Sequence, residues 1–353
     1  MPTLLARSQA FRYSTAMRAL ITGINGFVGG HLAEHLLASG GWELCGLARQ
    51  AASDRPKHGD IPIVVADLSE IDQTVAALDR AQPDVIFHLA AQSNVPRSFE
   101  NPAATLTTNV IAQVHLFQAV LRLRQNPLLL IVGSNEIYGH VEPEDLPLTE
   151  KTPLRPVNPY AVSKATQDLL AYQYHASHQL RTIRLRPFNH IGPRQSEQFV
   201  VSAFAAQIAR IEAGQQAPVI RVGNLAAERD FTDVRDMVRA YALAARHGQV
   251  PLAYNIGAGR SVSIRWLLDT LLTFSTCDIA VEPDPARMRP SDVPQVISDS
   301  RCFREHTGWA PQIALEQTLF DVLEYWRERV TEPQIGLASF GGGAAKAPLH
   351  PHH

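Results

Sequence analysis

The chain has 353 residues, 45% of them of hydrophobic type, with 32 basic and 34 acidic residues and a formal net charge of −2. That length supports a large core in one large domain or two lobes, and a near-neutral balance without basic runs excludes a nucleic-acid-binding face or a polybasic membrane surface. Cys45, Cys277 and Cys302 are odd in number and widely spaced, with no CxxC pair, which sets aside disulfides and structural zinc and fits a reducing compartment, the cytoplasm by default.

No apolar stretch reaches the roughly 18 residues of a membrane span. Residues 1–16 carry Arg7 and Arg12 with several hydroxyls and no acid, a composition open to a transit segment or to a disordered extension ahead of Met17; the extension is the expectation adopted. From there short apolar runs alternate with longer periodic segments, the signature of successive βαβ units. Strands are predicted at 20–22, 44–47, 63–65, 85–89, 128–132 and 183–185, and helices at 29–39, 105–123 and 160–178. After Arg186 the pattern loosens, with helices predicted at 203–213, 234–246, 264–273 and 315–329. The expected fold is α/β: a Rossmann-type doubly wound parallel sheet, mainly residues 17–186, with a smaller C-terminal α/β lobe, mainly 187–332, and some chain crossing back. Residues 333–353, rich in Gly, Ala and Pro and ending in His350, His352 and His353, read as a disordered tail. The histidines show no metal-ligand spacing, so no metal site is expected.

Thr22-Gly23-Ile24-Asn25-Gly26-Phe27-Val28-Gly29 follows a predicted strand and opens a helix. In that setting glycines let backbone approach a pyrophosphate, and the helix N-terminus stabilises its charge; Phe27 reads as a packing residue within the turn. The second strand ends Leu47-Ala48-Arg49 with no acid for a ribose 2′-hydroxyl, which favours a 2′-phosphate and NADP(H), with NAD(H) still possible; Arg49 is otherwise a solvated strand end. Asp67 and Leu68 follow the third strand, where they either meet the adenine or form a plain exposed loop. Ser134 lies just beyond the strand at 128–132, where a hydroxyl meets ligands or merely forms a turn. Glu136 is a base, a ligand for a sugar hydroxyl, or an acid without chemical duty. Tyr160 and Lys164 share one face of a helix, so an ammonium is placed to stabilise a phenolate and make the tyrosine an acid or base near neutral pH.

Together these residues resemble the extended short-chain dehydrogenase/reductases that act on nucleotide sugars. The resemblance runs over about residues 18–329 and rests on the glycine turn, His88-Leu89-Ala90-Ala91, Asn109, Ser134, the Tyr160/Lys164 pair and Phe188-Asn189. It implies cofactor contacts from Gly23, Asn25, Gly26, Phe27, Val28, Gly29, Leu89, Ala90, Ala91 and Asn109. It also implies that Lys164 holds the nicotinamide ribose while Tyr160 exchanges a proton with the sugar oxygen. The stretches 186–194, 223–231 and 287–293 resemble the GDP-sugar branch. They imply a GDP-sugar substrate, its diphosphate held by Arg229 and Arg289, with Ser93, Asn189, Phe199, Val200 and Arg221 near the sugar and Ser202 beside them.

The reaction implied first is NADPH-dependent reduction of the C4 ketone of GDP-4-dehydro-6-deoxy-D-mannose to GDP-D-rhamnose. A GDP-mannose 4,6-dehydratase using Glu136 as base is the alternative; a nucleotide-sugar 4-epimerase and a non-catalytic sensor follow. Relative to dehydratases, Ser134 stands where Thr is usual, and Asn135 stands where one branch has an acid. Helices 105–123 and 160–178 resemble the pair through which family members form a four-helix contact, which implies a homodimer; the other reading has both apolar stripes facing the sheet.

Overall fold

Parallel strands covered on both faces must be apolar on both sides, and the short runs read above have that character. The computed structural model describes residues 16–50, 61–287 and 293–331. The expectations for 1–15, for the tail and for Arg289 lie outside the described residues. The strands are β1 (Met17–Thr22), β2 (Trp42–Ala48), β3 (Ile63–Val65), β4 (Val85–His88), β5 (Leu128–Val132), β6 (Arg181–Pro187), β7 (Asn189–Ile191), β8 (Val219–Val222), β9 (Glu228–Arg229), β10 (Phe231–Asp233), β11 (Ala253–Ile256), β12 (Val262–Ser263) and β13 (Ala280–Pro283). Seven of them pair in the order β3-β2-β1-β4-β5-β6-β11, every pair parallel. The other six form three small two-stranded sheets.

The helices are α1 (Phe27–Ser39), α2 (Ile71–Ala81), α3 (Val95–Glu100), α4 (Pro102–Leu106), α5 (Ala112–Arg122), α6 (Pro159–His178), α7 (Val200–Glu212), α8 (Val234–His247), α9 (Ile264–Thr273), α10 (Arg301–Thr307) and α11 (Leu315–Thr331). Successive strand residues point to opposite faces. Ile21, Phe87 and Leu130 meet Leu32 and Leu36 of α1 and Met237 and Tyr241 of α8. Their neighbours Leu20, Ile86 and Leu129 meet Leu78 of α2, Leu116 and Phe117 of α5 and Ala171 of α6. A third core, built from Phe204, Ile208, Ile220, Leu267, Leu319 and Leu323, belongs to the smaller lobe.

Two expectations are corrected. The helix at 234–246, placed with the smaller lobe, instead packs on the sheet beside α1, and β11 follows it into the large sheet. Periodicity identifies an apolar face but not the surface that covers it. The single helix at 105–123 is interrupted by a π-helical turn, Thr107–Ile111. At its centre the buried Asn109 side chain accepts from the Gln92 N–H at 2.7 Å and donates to the Gln92 carbonyl at 3.0 Å and to Ser163 Oγ at 2.8 Å. A local change of helical pitch aims one side chain in this way.

The helix α6 is fastened to the sheet by charge. Asp168, with its side chain 2% exposed, accepts from Arg186 Nε at 2.8 Å, Arg186 Nη2 at 2.9 Å and Arg184 Nη1 at 3.0 Å. Removing one partner of such a cluster leaves the others buried and unpaired. Asp168→Ala is therefore expected to lower unfolding stability by about 3–5 kcal/mol, read as a fall in the urea midpoint.

Candidate active site

The chain leaves β1 towards β2 and leaves β4 in the other direction towards β5, so a crevice opens at the carboxyl ends of these adjacent strands. Thr22 and His88 lie opposite each other there. Thr22 Oγ1 accepts from the N–H groups of Leu89 and Ala90, both at 3.1 Å, and lies 3.0 Å from His88 Nδ1. His88, fully enclosed and near Lys164, has its pKa lowered to about 3 and is neutral; because Thr22 Oγ1 already accepts from two N–H groups, its hydroxyl is left to donate to His88 Nδ1. These contacts draw the half-buried loop Leu89-Ala90-Ala91 against the glycine turn, with the exposed Ser93 just beyond.

Glycine is required at two positions of the turn. Gly23 has φ +72°, and a Cβ there would lie 3.0 Å from the Ala90 backbone; a Cβ on Gly29 would lie 2.3 Å from the Gly23 carbonyl oxygen. Gly26 caps α1 without a side-chain hydrogen bond, and the first turn holds no acid. The leading N–H groups and the positive end of the helix dipole thus face the crevice uncompensated, which fits a pyrophosphate. Asn25 Nδ2 donates to the Gln50 carbonyl at 3.3 Å, tying the turn to the end of β2. Val28 packs into the core. Phe27, as read from the sequence, is a packing residue, edge-on to His31 at 5.4 Å and parallel to His190 at 6.2 Å.

Arg49 projects from the end of β2, exposed. The Asp67 carboxylate accepts from Ser69 N–H at 2.9 Å and Ser69 Oγ at 2.8 Å. These bonds, and less so the Arg49 charge, hold it below the usual carboxylate range against the opposing effect of burial. Asp67 thus closes its own loop, and Leu68 is buried in the core.

Ser134, Glu136, Tyr160 and Lys164 come together at the carboxyl end of β5. Ser134 caps the 3-10 turn Asn135–Tyr138, accepting from Glu136 N–H at 3.2 Å. Lys164, 4% exposed, donates to the Val132 carbonyl at 2.8 Å. Burial pushes the Tyr160 phenol up to about 12; the Ser134 hydroxyl counters this and the Glu136 charge adds to it. Burial also brings the Lys164 ammonium down to about 7. The expected stabilisation of a phenolate by Lys164 is therefore not found. Both groups lose more by desolvation of their charged forms than the helical spacing returns, and Tyr160 keeps its proton at neutral pH.

The remaining candidates lie towards the smaller lobe. Asn189 sits on β7 with its Oδ1 buried and without a partner among the described residues, and Ser202 Oγ on α7 has the same character. Phe199 and Val200 begin α7, half-buried. Arg229 lies on β9, donating to the Glu228 carbonyl at 2.8 Å. Arg221 is on β8, 62% exposed and 3.8 Å from Glu282 across the strand pair. Two site residues escaped the sequence reading. Gln92, the partner of Asn109, carries no sequence signal. Asn158 does: an Asn before Pro159 marks a helix start, and its side chain caps α6 at Ala161 N–H, 2.7 Å.

A family model described as GDP-mannose 4,6 dehydratase matches residues 20–322. The chain belongs to this family. GDP-6-deoxy-D-mannose reductase of Pseudomonas aeruginosa is 35% identical over 316 residues, covering 89% of this chain and 99% of that protein. GDP-mannose 4,6-dehydratase of Vibrio cholerae is 28% identical, covering 85% and 91%. Among solved structures, RMD from Pseudomonas aeruginosa complexed with NADPH matches with a TM-score of 0.79 and 34% identity, covering 89% of this chain and all of that one. The chain is thus an enzyme of the extended short-chain dehydrogenase/reductase type, and the fold read from its sequence is the fold of this family. Among the described residues no helix is long and apolar enough to cross a membrane, and no cluster has the donors of a metal site.

The buried lysine gives a test through stability. Its folded pKa of about 7 lies below the ordinary lysine value of 10.5, so between these values the unfolded chain binds the extra proton and stability rises with pH. Lys164→Met is expected to raise the thermal midpoint most at about pH 6–7, with the gain shrinking towards about pH 10. Scanning calorimetry across that range checks it; a gain independent of pH contradicts it.

Proposed function

We propose that the protein is an NADPH-dependent 4-ketoreductase that converts GDP-4-dehydro-6-deoxy-D-mannose to GDP-D-rhamnose. The observation that carries this reading is the gathering of Ser134, Tyr160 and Lys164 at the carboxyl edge of the sheet, with Lys164 donating to the Val132 carbonyl at 2.8 Å. A ketone becomes an alcohol by gaining a hydride at carbon and a proton at oxygen. When bound, the nicotinamide supplies the hydride. Ser134 orients the C4 oxygen by hydrogen bonding, Tyr160 gives that oxygen its proton, and Lys164 holds the ribose beside them.

The turn formed by Gly23 and residues 25–29, with the α1 N-terminus, takes the pyrophosphate, and Leu89, Ala90 and Ala91 line the dinucleotide. Asn109 acts from behind, through the Gln92 backbone. Preference for NADP(H) is supported by Arg49 at the end of β2 and by the engagement of Asp67 with Ser69, as well as by the relative complexed with NADPH. Asn189, Phe199, Val200, Ser202 and Ser93 are assigned to the sugar. Arg229 and Arg289 are assigned to the GDP diphosphate by guanidinium–phosphate pairing, with Arg221 at the rim. Residues 17–186 then serve mainly the dinucleotide and 187–332 mainly the sugar nucleotide, in a cytoplasmic enzyme whose three cysteines are free.

A second reading, GDP-mannose 4,6-dehydratase, is favoured by one observation: Glu136 stands near enough to raise the Tyr160 pKa, where that reaction needs a base for C5. Incubation with NADPH and GDP-4-dehydro-6-deoxy-D-mannose is expected to oxidise the cofactor, about 10²–10⁴-fold more slowly in Tyr160→Phe. A keto sugar formed from GDP-mannose without cofactor oxidation would establish the dehydratase instead.

A homodimer through α4, α5 and α6 is part of the same reading. These helices bury one face against the sheet and leave Leu106, Ile111, Val162, Leu169 and Tyr172 exposed on the other, Leu169 by 58%. Exposed large apolar side chains on the outer face of packed helices support a protein contact there. Gel filtration with light scattering is expected to give twice the chain mass, falling to the monomer in Leu169→Glu. A parent that is monomeric at all concentrations contradicts the assignment.

A further inference from the structure

One side chain joins the two elements that carry the reacting groups. Asn158, 8% exposed, precedes α6, and its Oδ1 accepts from the Ala161 N–H at 2.7 Å. Its Nδ2 donates to Glu136 Oε2 at 3.1 Å. The orientation of the amide is not arbitrary. The helix end presents an N–H, so the oxygen must face it and the NH₂ must face the carboxylate. Glu136 rides on the 3-10 turn whose N–H is accepted by Ser134, and Tyr160 is the second residue of α6. Among the described residues Glu136 Oε1 accepts no hydrogen bond, so one carboxylate oxygen is held by the protein while the other remains available.

We propose that Asn158 is a positioning residue: it locks the Ser134–Glu136 turn to the Tyr160 helix and fixes the Glu136 carboxylate so that Oε1 accepts a hydroxyl of the bound sugar. The inference rests on the nucleotide-sugar reading above and deepens it, because it gives Glu136 a task in the reductase other than proton abstraction. An amide suits this role. It donates to the carboxylate without taking or giving up a proton, so the pair cannot relay protons to the solvent side of the helix. A simple N-cap requires only the oxygen, and Ser or Asp supplies that equally well.

That distinction sets the experiment. Asn158→Ser keeps the cap and deletes the donor to Glu136; Asn158→Asp keeps the cap and sets a second carboxylate against the first, where two like charges compete for one proton. The kcat/KM for the sugar and the KM for NADPH are measured against pH in both variants. The ¹³Cδ-glutamate NMR signal of Glu136, assigned through Glu136→Gln, is titrated in parallel. The expected results are a roughly tenfold fall in sugar kcat/KM in Asn158→Ser with NADPH KM unchanged, the loss of about one charged hydrogen bond. In Asn158→Asp the Glu136 midpoint moves up by about a unit or more relative to the parent. A matching limb appears in the pH profile and is absent from Asn158→Asp/Glu136→Gln. Parental kinetics in both variants, with a parental Glu136 titration in Asn158→Asp, reduce Asn158 to a helix cap and overturn the proposal. If the NMR shift appears but no variant or parent reduces the sugar, the reaction assignment has failed and the contact stands.

Discussion

The candidate active site depends on the Asp168 carboxylate. Three guanidinium hydrogen bonds converge on it from β6, while the same Arg186 donates through Nη1 to the Tyr138 hydroxyl at 3.0 Å. Tyr138 in turn donates to Asn255 Oδ1 at 2.6 Å. One buried ion cluster thereby joins α6, which carries Tyr160 and Lys164, the 3-10 turn, which carries Glu136 and follows Ser134, and the last two strands of the sheet. Buried charges of this kind add little net stability against an apolar alternative, but the geometry they impose is costly to leave. The same network of charged hydrogen bonds ties the active-site helix to the turn.

Within that frame, desolvation decides the chemistry. The ion-pair logic of a Tyr and a Lys one turn apart predicts an acidic phenol, and it fails because neither group has enough water to support its charge. The phenol is held protonated, the state required to deliver a proton to a developing alkoxide. The lysine is poised near neutrality with a single carbonyl partner.

Much of this was legible in the sequence because its cause is local. Glycines at 23 and 29 declare a close backbone approach, and the apolar runs declare buried parallel strands. The absence of an acid at Arg49 declares a preference at the ribose. What was not legible depends on partners distant in the chain. The covering of α8 by the large sheet, the π-turn that aims Asn109 at Gln92, and the burial that reverses the expected Tyr160–Lys164 electrostatics are all set by elements brought together only on folding. Asn158 falls between the two: its capping role can be read from the Asn-Pro pair, but its contact with Glu136 cannot.

The direct measurement is the fate of the hydride. With cofactor deuterated at the transferable position of the nicotinamide C4, the account predicts one deuterium at C4 of the GDP-sugar for each NADPH consumed, read by NMR of the product. A product that carries no deuterium, formed without net loss of NADPH, would contradict it and mark the protein as an enzyme that returns its hydride to the sugar it came from.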